Sequence, residues 1–292
     1  KLPLLLDKAN RLYLYRFWRA EQNIAGLLAQ KLDDSQNHEL TERVQDIFLS
    51  LFETGESDEI NWQAVAAASA LRHPFLMLSG GPGTGKTTTV ARILALLVSL
   101  DPALKITLAT PTGKAAQRLG SSIEEQITSL PLKPAQRALI PTEATTIHRM
   151  LGYHPESGRY RYHAEKKIDT DVLIVDESSM IDLLLFEAML HALPSHTRLI
   201  LIGDPYQLAS VDAGFVFGDL CRGGEQLLFG PEFAEYCRKL GNINVPQAPT
   251  SSEVTRLNDA VVTLQKNYRF DRGSGVGQLA SFIHQGKPDS AL

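Results

Sequence analysis

The segment Gly80-Gly81-Pro82-Gly83-Thr84-Gly85-Lys86-Thr87 carries the pattern GxxxxGK[ST] between an apolar run at 75–78 and an amphipathic stretch through Ile93, Leu94, Leu97 and Val98. Between a strand and a helix, Gly81, Gly83 and Gly85 let the backbone curl until its N–H groups face one point, and the helix N-terminus adds partial positive charge. The chemistry is phosphate binding. Thr84 sits within the cradle, Lys86 reaches the β and γ oxygens, and Thr87 and Thr88 open the helix, with the Thr87 hydroxyl suited to Mg2+. Such a loop needs an acid on a neighbouring strand, and the run 172–175 leads directly into Asp176-Glu177. Asp176 suits the metal, through water, and Glu177 suits polarising an attacking water, so the pair points to nucleoside triphosphate hydrolysis. The same acids could instead cap the helix that follows Met180. A third run, 199–202, ends in Gly203-Asp204-Pro205-Tyr206-Gln207, which puts Gln207 at the same sheet edge, where it could sense the γ-phosphate. Gly-Asp-Pro is also ordinary turn chemistry.

The elements that must position these groups are legible in outline. Apolar runs at 75–78, 106–109, 172–175, 199–202 and 261–264 lack polar alternation, as strands buried on both faces do, and longer amphipathic stretches separate them. That pattern predicts an α/β fold, a parallel sheet flanked by helices. Residues 12–32 and 39–52 repeat apolar side chains at helical intervals and predict a small helical region ahead of it. The polar stretch 53–59 reads as a linker and 241–256 as an exposed loop. Residues 153–163 read as two short strands around a Pro-Glu-Ser-Gly turn, with Tyr160 and Tyr162 alternating with Arg159 and Arg161. Such a hairpin could stack bases and bind phosphates, or be a solvated edge.

Composition narrows the classes. With 292 residues, 43% of them hydrophobic, the chain can bury a core, which excludes disorder and collagen-like structure. No run approaches the roughly 20 apolar residues of a membrane helix, and the simplest reading is a soluble, cytoplasmic protein with no membrane partner. Cys221 and Cys237 have no metal-ligand spacing around them and read as buried thiols. The net charge of −4 arises in residues 1–60, so no global basic footprint marks nucleic acid, although a local groove can still bind it. The chain opens on Lys1 and closes on Leu292, which reads as a piece of a longer polypeptide.

Taken in order, Gly80 to Thr87, Thr110-Pro-Thr-Gly-Lys-Ala-Ala116, Asp176-Glu177, Gly203 to Gln207 and Asn267-Tyr-Arg-Phe270 resemble the motifs of superfamily-1 DNA helicases. Among these, the series is most similar to the alpha subunits of bacterial exodeoxyribonuclease V, and the resemblance covers roughly residues 60–292. It implies RecA-like P-loop lobes with ATP and Mg2+ between them, and 5′ to 3′ translocation on single-stranded DNA. It also implies beta and gamma partner subunits in double-strand-break repair. Residues 1–55 would then end an N-terminal interaction domain, 60–258 would form the first motor lobe, and 259–292 would begin a second, truncated one. Alone, the chain is expected to bind nucleotide weakly and hydrolyse little.

Carried over by residue, the resemblance makes Gln63 the adenine reader, though it would equally suit a helix surface. Thr112 and Lys114 become DNA-backbone contacts, the groups phosphate contacts commonly use, in a segment that also suits a turn capping a helix. Thr145, Thr146 and His148 match a second DNA-facing segment, where Thr146 could be an N-cap and His148 a core or surface histidine. Arg269 becomes the arginine brought to the γ-phosphate. Two other classes remain, a non-helicase P-loop ATPase of the AAA type and a mainly structural docking subunit.

Overall fold

A computed structural model describes residues 3–33, 40–52, 59–207, 210, 212–222, 227–249, 256–266 and 268. The chain begins with a hairpin, β1 (Leu4–Leu6) and β2 (Leu12–Leu14), then α1 (Tyr15–Asp33), α2 (Glu42–Leu51) and α3 (Trp62–Arg72). Next come β3 (Phe75–Ser79), α4 (Lys86–Leu100), β4 (Ile106–Thr110), α5 (Gly113–Ser129), α6 (Pro134–Arg137), β5 (Ala144–Thr146) and α7 (Ile147–Met150). A small hairpin, β6 (Tyr153–His154) and β7 (Arg159–Tyr160), leads to β8 (Val172–Val175), a 3-10 turn (Ser178–Met180), α8 (Leu183–Ala192) and β9 (Arg198–Gly203). The described part closes with α9 (Val216–Arg222), α10 (Pro231–Gly241), α11 (Arg256–Asp259) and β10 (Val261–Thr263).

Six strands form one sheet in the order β10-β3-β9-β8-β4-β5, with every pairing parallel. The reason lies in the apolar runs. Strands β3, β8 and β9 are buried at every residue, and their side chains divide between two cores. Leu76, Leu78, Ile174 and Ile200 pack with α2 to α5 and α10, whereas Phe75, Met77, Leu173 and Leu201 pack with α1 and α7 to α9. A strand covered on both faces has no polar side to show, so period-two alternation disappears. The expected α/β sheet flanked by helices is what forms.

The first helices join these layers. On α1, Ala20, Ile24, Leu28 and Leu32 recur at four-residue spacing and face α8, and burying Ile24 or Leu28 stabilises by about 1.5–3 kcal/mol each. Asn23 donates to Glu187 at 2.6 Å, and Lys31 donates to the carbonyls of Thr197 at 2.6 Å and Ser195 at 3.1 Å. Thr41 caps α2, which packs on α4 and α10. The predicted helix over 12–32 starts later, at Tyr15, because Leu12–Leu14 pairs with Leu4–Leu6. Leu4, Leu6, Leu12 and Leu14 are exposed on that hairpin. Most of the linker read at 53–59 lies outside the described residues.

One boundary moves. Residues 259–292 were expected to begin a second lobe, yet β10 pairs in parallel with β3 through Val261 with Met77, Val262 with Leu78 and Thr263 with Ser79. Val261 enters one core and Val262 the other, so this strand closes an edge of the first sheet. An apolar run announces a buried strand but does not say which neighbour it pairs with.

Cys221 and Cys237 are both buried, and among the described residues they form no disulfide. No helix among the described residues is long and apolar enough to cross a membrane.

Candidate functional site

The loop between β3 and α4 is built by its glycines. Gly83 and Gly85 hold φ of 79° and 84°, the left-handed region, and Gly85 is the N-cap of α4. Below them Thr84, 6% exposed, donates its hydroxyl to the Gly81 carbonyl at 2.8 Å. A Cβ on Gly80 would stand 2.6 Å from that Thr84 oxygen, so the space is taken by the loop's own threonine. Lys86 curls back over the loop and donates Nζ to the carbonyls of Gly80 and, at 3.1 Å, Gly81. Burial pushes the Lys86 ammonium below its usual range, against the pull of Asp204, Asp176 and Glu177 in the opposite direction. Thr87 and Thr88, both half-buried, occupy the first turn of α4, where the helix end carries partial positive charge.

Asp176 and Glu177 follow the last residue of β8. Burial raises the Asp176 carboxyl above its usual range, while the Glu177 N–H, donated to Asp176 Oδ1 at 2.8 Å, and the charges of Lys86 and Arg118 act to lower it. Glu177 adopts φ 54°, ψ 38°, a left-handed backbone that costs a non-glycine residue about 1–2 kcal/mol. That turn starts the 3-10 segment and swings the chain off the strand. No local sequence signal announces it, because Glu is not a residue that favours this region.

At the tip of β9, Asp204 is 3% exposed and accepts hydrogen bonds from the Tyr206 N–H at 3.0 Å and the Gln207 side-chain amide at 3.2 Å. Gln207 itself is exposed, tethered through Asp204 to the strand end. Asp204 is also first among the carboxylates acting on Lys86. In the sequence Asp204 reads as part of a Gly-Asp-Pro turn; its signal is an acid two positions beyond the apolar run 199–202.

Gln63 comes to the loop from the far side. Asn61 caps α3, accepting from the Gln63 and Ala64 N–H groups, and the helix is buried from Gln63 to Leu71 because alanines let it lie close to its neighbours. Gln63 is 7% exposed, and its Nε2 lies 2.7 Å from where a Cβ on Gly85 would be. Its Oε1 accepts from Arg92 Nη1 at 3.1 Å. The Tyr268 N–H donates to the Gly83 carbonyl at 2.9 Å, and its exposed ring lies 3.6 Å from the Gly85 Cβ position. Arg92 carries no signal in the sequence, and Tyr268 lies in the segment Asn267-Tyr-Arg-Phe270, where the resemblance assigns a role to Arg269 alone. Arg269 lies outside the described residues.

The second group of residues lies across the same edge. Thr112 caps α5, accepting from the Ala115 N–H, and both Thr112 and Lys114 are exposed. Thr146 caps α7, accepting from the Arg149 N–H, and His148 is exposed next to the half-buried Thr145 and Thr146. The N-cap reading of both threonines therefore holds, and each still presents its segment at a strand end. Thr110 pairs with Thr146, so the two segments are neighbours. Along the edge the order is thus phosphate loop, Gln207, Asp176, Thr112, Thr146. The hairpin continues it: the His148, Tyr153 and Tyr160 rings cluster with centroids 5.4 to 6.2 Å apart. Tyr160 and Tyr162 are half-buried against the core, while Arg159 and Arg161 are exposed.

A family model described as AAA domain matches residues 62–213, from the start of α3 through the phosphate loop, both acids and Gln207. The chain belongs to the AAA-domain family. It is also similar to proteins of known name. The RecBCD enzyme subunit RecD of Haemophilus influenzae is 38% identical over 291 residues, 96% of this chain and 44% of that protein. RecD of Mycolicibacterium smegmatis is 37% identical over 296 residues, 99% of this chain and 46% of that one. The ATP-dependent RecD2 DNA helicase of Deinococcus radiodurans is 35% identical over 209 residues, 70% of this chain and 25% of that protein. The chain thus spans just under half the length of the RecD subunits it resembles.

Proposed function

We propose that this chain is the nucleotide-binding lobe of an ATP-driven DNA helicase, a RecD-like motor moving 5′ to 3′ on single-stranded DNA beside beta and gamma subunits in double-strand-break repair. The observation that carries this reading is the gathering of Lys86, Asp176, Glu177 and Asp204 at one sheet edge, continuous with the exposed Thr112, Lys114 and His148. A nucleotide and a phosphate backbone can then be held by adjacent strand ends, the position at which open α/β sheets bind ligands. Similarity to RecD and RecD2 proteins supports DNA over a protein substrate.

In this reading the loop amides and Lys86 bind the β and γ phosphates, Lys86 exchanging its carbonyl partners for phosphate oxygens. Gln63 faces the base. Glu177, turned off the strand by its left-handed backbone, accepts the proton of the attacking water as general base. Gln207, held by Asp204, sits where the γ-phosphate can be sensed, and Arg269 supplies positive charge to it from beyond β10. The donor set fits Mg2+: Thr87 and Asp176 offer oxygen ligands, and burial disfavours the Asp176 charge unless a cation is near. Mg2+ bound there would offset negative charge on the phosphates. Thr112, Lys114, Thr146 and His148 contact the strand of DNA, and a second lobe follows β10.

The test is binding of a non-hydrolysable ATP analogue with Mg2+, beside Lys86→Ala, repeated with single-stranded DNA. Saturable binding, lost in Lys86→Ala and altered by DNA, is expected. Binding indifferent to both perturbations would sink the motor reading.

A further inference from the structure

Arg198 opens β9, the strand between β3 and β8, at the end of the sheet away from the phosphate loop. At the usual rise of a strand its backbone stands roughly 17 Å from Gly203, where the nucleotide groups gather. Its side chain shares the face of Ile200, two positions on, and so enters the core that α10 covers. Arg198 is 4% exposed, and neither Nε nor Nη2 meets a hydrogen-bond acceptor among the described residues. Among those residues the group that acts on its charge is the Tyr236 phenol of α10, and no carboxylate does. Tyr236 is 6% exposed, and its hydroxyl is likewise without a partner among the described residues. Its ring stacks on Phe233 at 6.5 Å and lies 5.6 Å from the Arg72 guanidinium, which adds a second positive charge to this corner.

The two unpartnered guanidinium atoms are not an arbitrary pair. Nε–H and one N–H of Nη2 run parallel along one edge of the planar group, the fork that meets two oxygens of an oxyanion at once. Burial lowers the Arg198 pKa only to about 10, so its charge persists at neutral pH. Burial pushes the Tyr236 phenol up to about 12, against the pull of Arg72 and Arg198, so its hydroxyl stays protonated and can donate. Water could accept from these donors but would leave the buried charge uncompensated, whereas an oxyanion meets both needs. We propose that Arg198 and Tyr236 form a site for a small oxyanion between β9 and α10, separate from the nucleotide site. The ion would lie on the Nε and Nη2 edge with the Tyr236 hydroxyl as third donor. Bound there it ties α10 to a central strand and stabilises the fold, because the unfolded chain has no such site.

The probe is inorganic phosphate. The phosphate loop also binds phosphate, so every chain tested carries Lys86→Ala, and whatever binding remains at the loop is common to all. Urea unfolding is followed by circular dichroism at about 1 and about 100 mM phosphate, with sodium chloride holding the ionic strength constant. Lys86→Ala is compared with the same chain carrying Arg198→Met or Tyr236→Phe. Phosphate also strengthens burial without binding, equally in each chain, so the difference from Arg198→Met is the quantity read. A site with a dissociation constant of about 10 mM or tighter lowers the unfolding equilibrium constant roughly tenfold or more over that range. That factor should appear in Lys86→Ala, vanish with Arg198→Met and be smaller with Tyr236→Phe. If Arg198→Met fails to fold, Arg198→Lys keeps the charge without the paired edge and should lose most of the effect. Formate in place of phosphate separates the sources: an Arg198-dependent response to either ion supports the site, phosphate alone marking a tetrahedral ion and formate alone a carboxylate. Responses to both ions that are the same with and without the Arg198 substitutions would overturn the proposal and leave the guanidinium to water.

Discussion

His73 provides a sharp test of the packing beneath the site. It caps the C-terminal end of α3, 6% exposed, with its ring 5.5 Å from Phe233 and neither ring nitrogen hydrogen-bonded. Burial, reinforced by the charges of Arg72 and Arg256, lowers its pKa from 6.5 to about 4. The folded state therefore refuses a proton that the unfolded chain accepts. Above the unfolded pKa the group has no effect; as pH falls from 6.5 toward 4, stability is lost. At about pH 5 the loss amounts to about 2 kcal/mol, and below the folded pKa it approaches about 3 kcal/mol. Asp259 acts with the opposite sign. Its pKa is raised to about 6, chiefly by burial, so the folded state takes up a proton first and gains about 1.4 kcal/mol by about pH 5. The two effects largely cancel in the wild type, and a substitution is needed to separate them. His73→Leu removes the titration along with two unpaired buried nitrogens, so at about pH 7.5 it should be as stable as wild type or slightly more so. Urea unfolding followed by circular dichroism should then show the variant's advantage widening by about 2 kcal/mol at about pH 5. Parallel pH dependences for the two proteins would refute the argument, since every other group contributes equally to both.

Two glycine substitutions probe the site and the edge beside it. Gly85→Ala forces a side chain into φ 84° and toward Gln63; it should cost about 1–2 kcal/mol in urea unfolding and lower ATP affinity at least about tenfold, and unaltered affinity would contradict the described loop. Gly120→Ala, on α5, would place its Cβ 2.2 Å from the Thr142 carbonyl oxygen, a backbone atom that cannot swing aside. Overpacking there should destabilise by about 1–3 kcal/mol despite alanine's better helix propensity, and by shifting the approach to β5 it should weaken single-stranded DNA binding. A more stable Gly120→Ala protein would show that α5 does not pack as described.

Much of this architecture could be read locally. The phosphate loop, Asp176-Glu177 and Gln207 each follow a run of apolar residues, and such runs become strands buried on both faces whose ends meet at one sheet edge. The hairpin at Tyr153–His154 and Arg159–Tyr160 was equally visible, because its turn residues lie next to one another in the chain. Local pattern fails where a partner is distant. Val261–Thr263 announced itself as a strand but not as the neighbour of β3, since parallel pairing is set by the packing of intervening helices. Glu177 gave no hint of its left-handed backbone, a conformation its residue type does not favour.

Residue type and spacing therefore pointed to the kind of chemistry, phosphate binding with paired acids, because the glycines, lysine and carboxylates suited to it occur in short contiguous segments. Folding decided which groups stand against those segments. The Arg92 hydrogen bond that orients Gln63, the pull of Asp204 on Lys86 and the approach of Tyr268 to Gly83 each join segments far apart in the chain. Their energies depend on separations of a few ångströms and on burial, quantities that exist only once the helices have packed on the sheet.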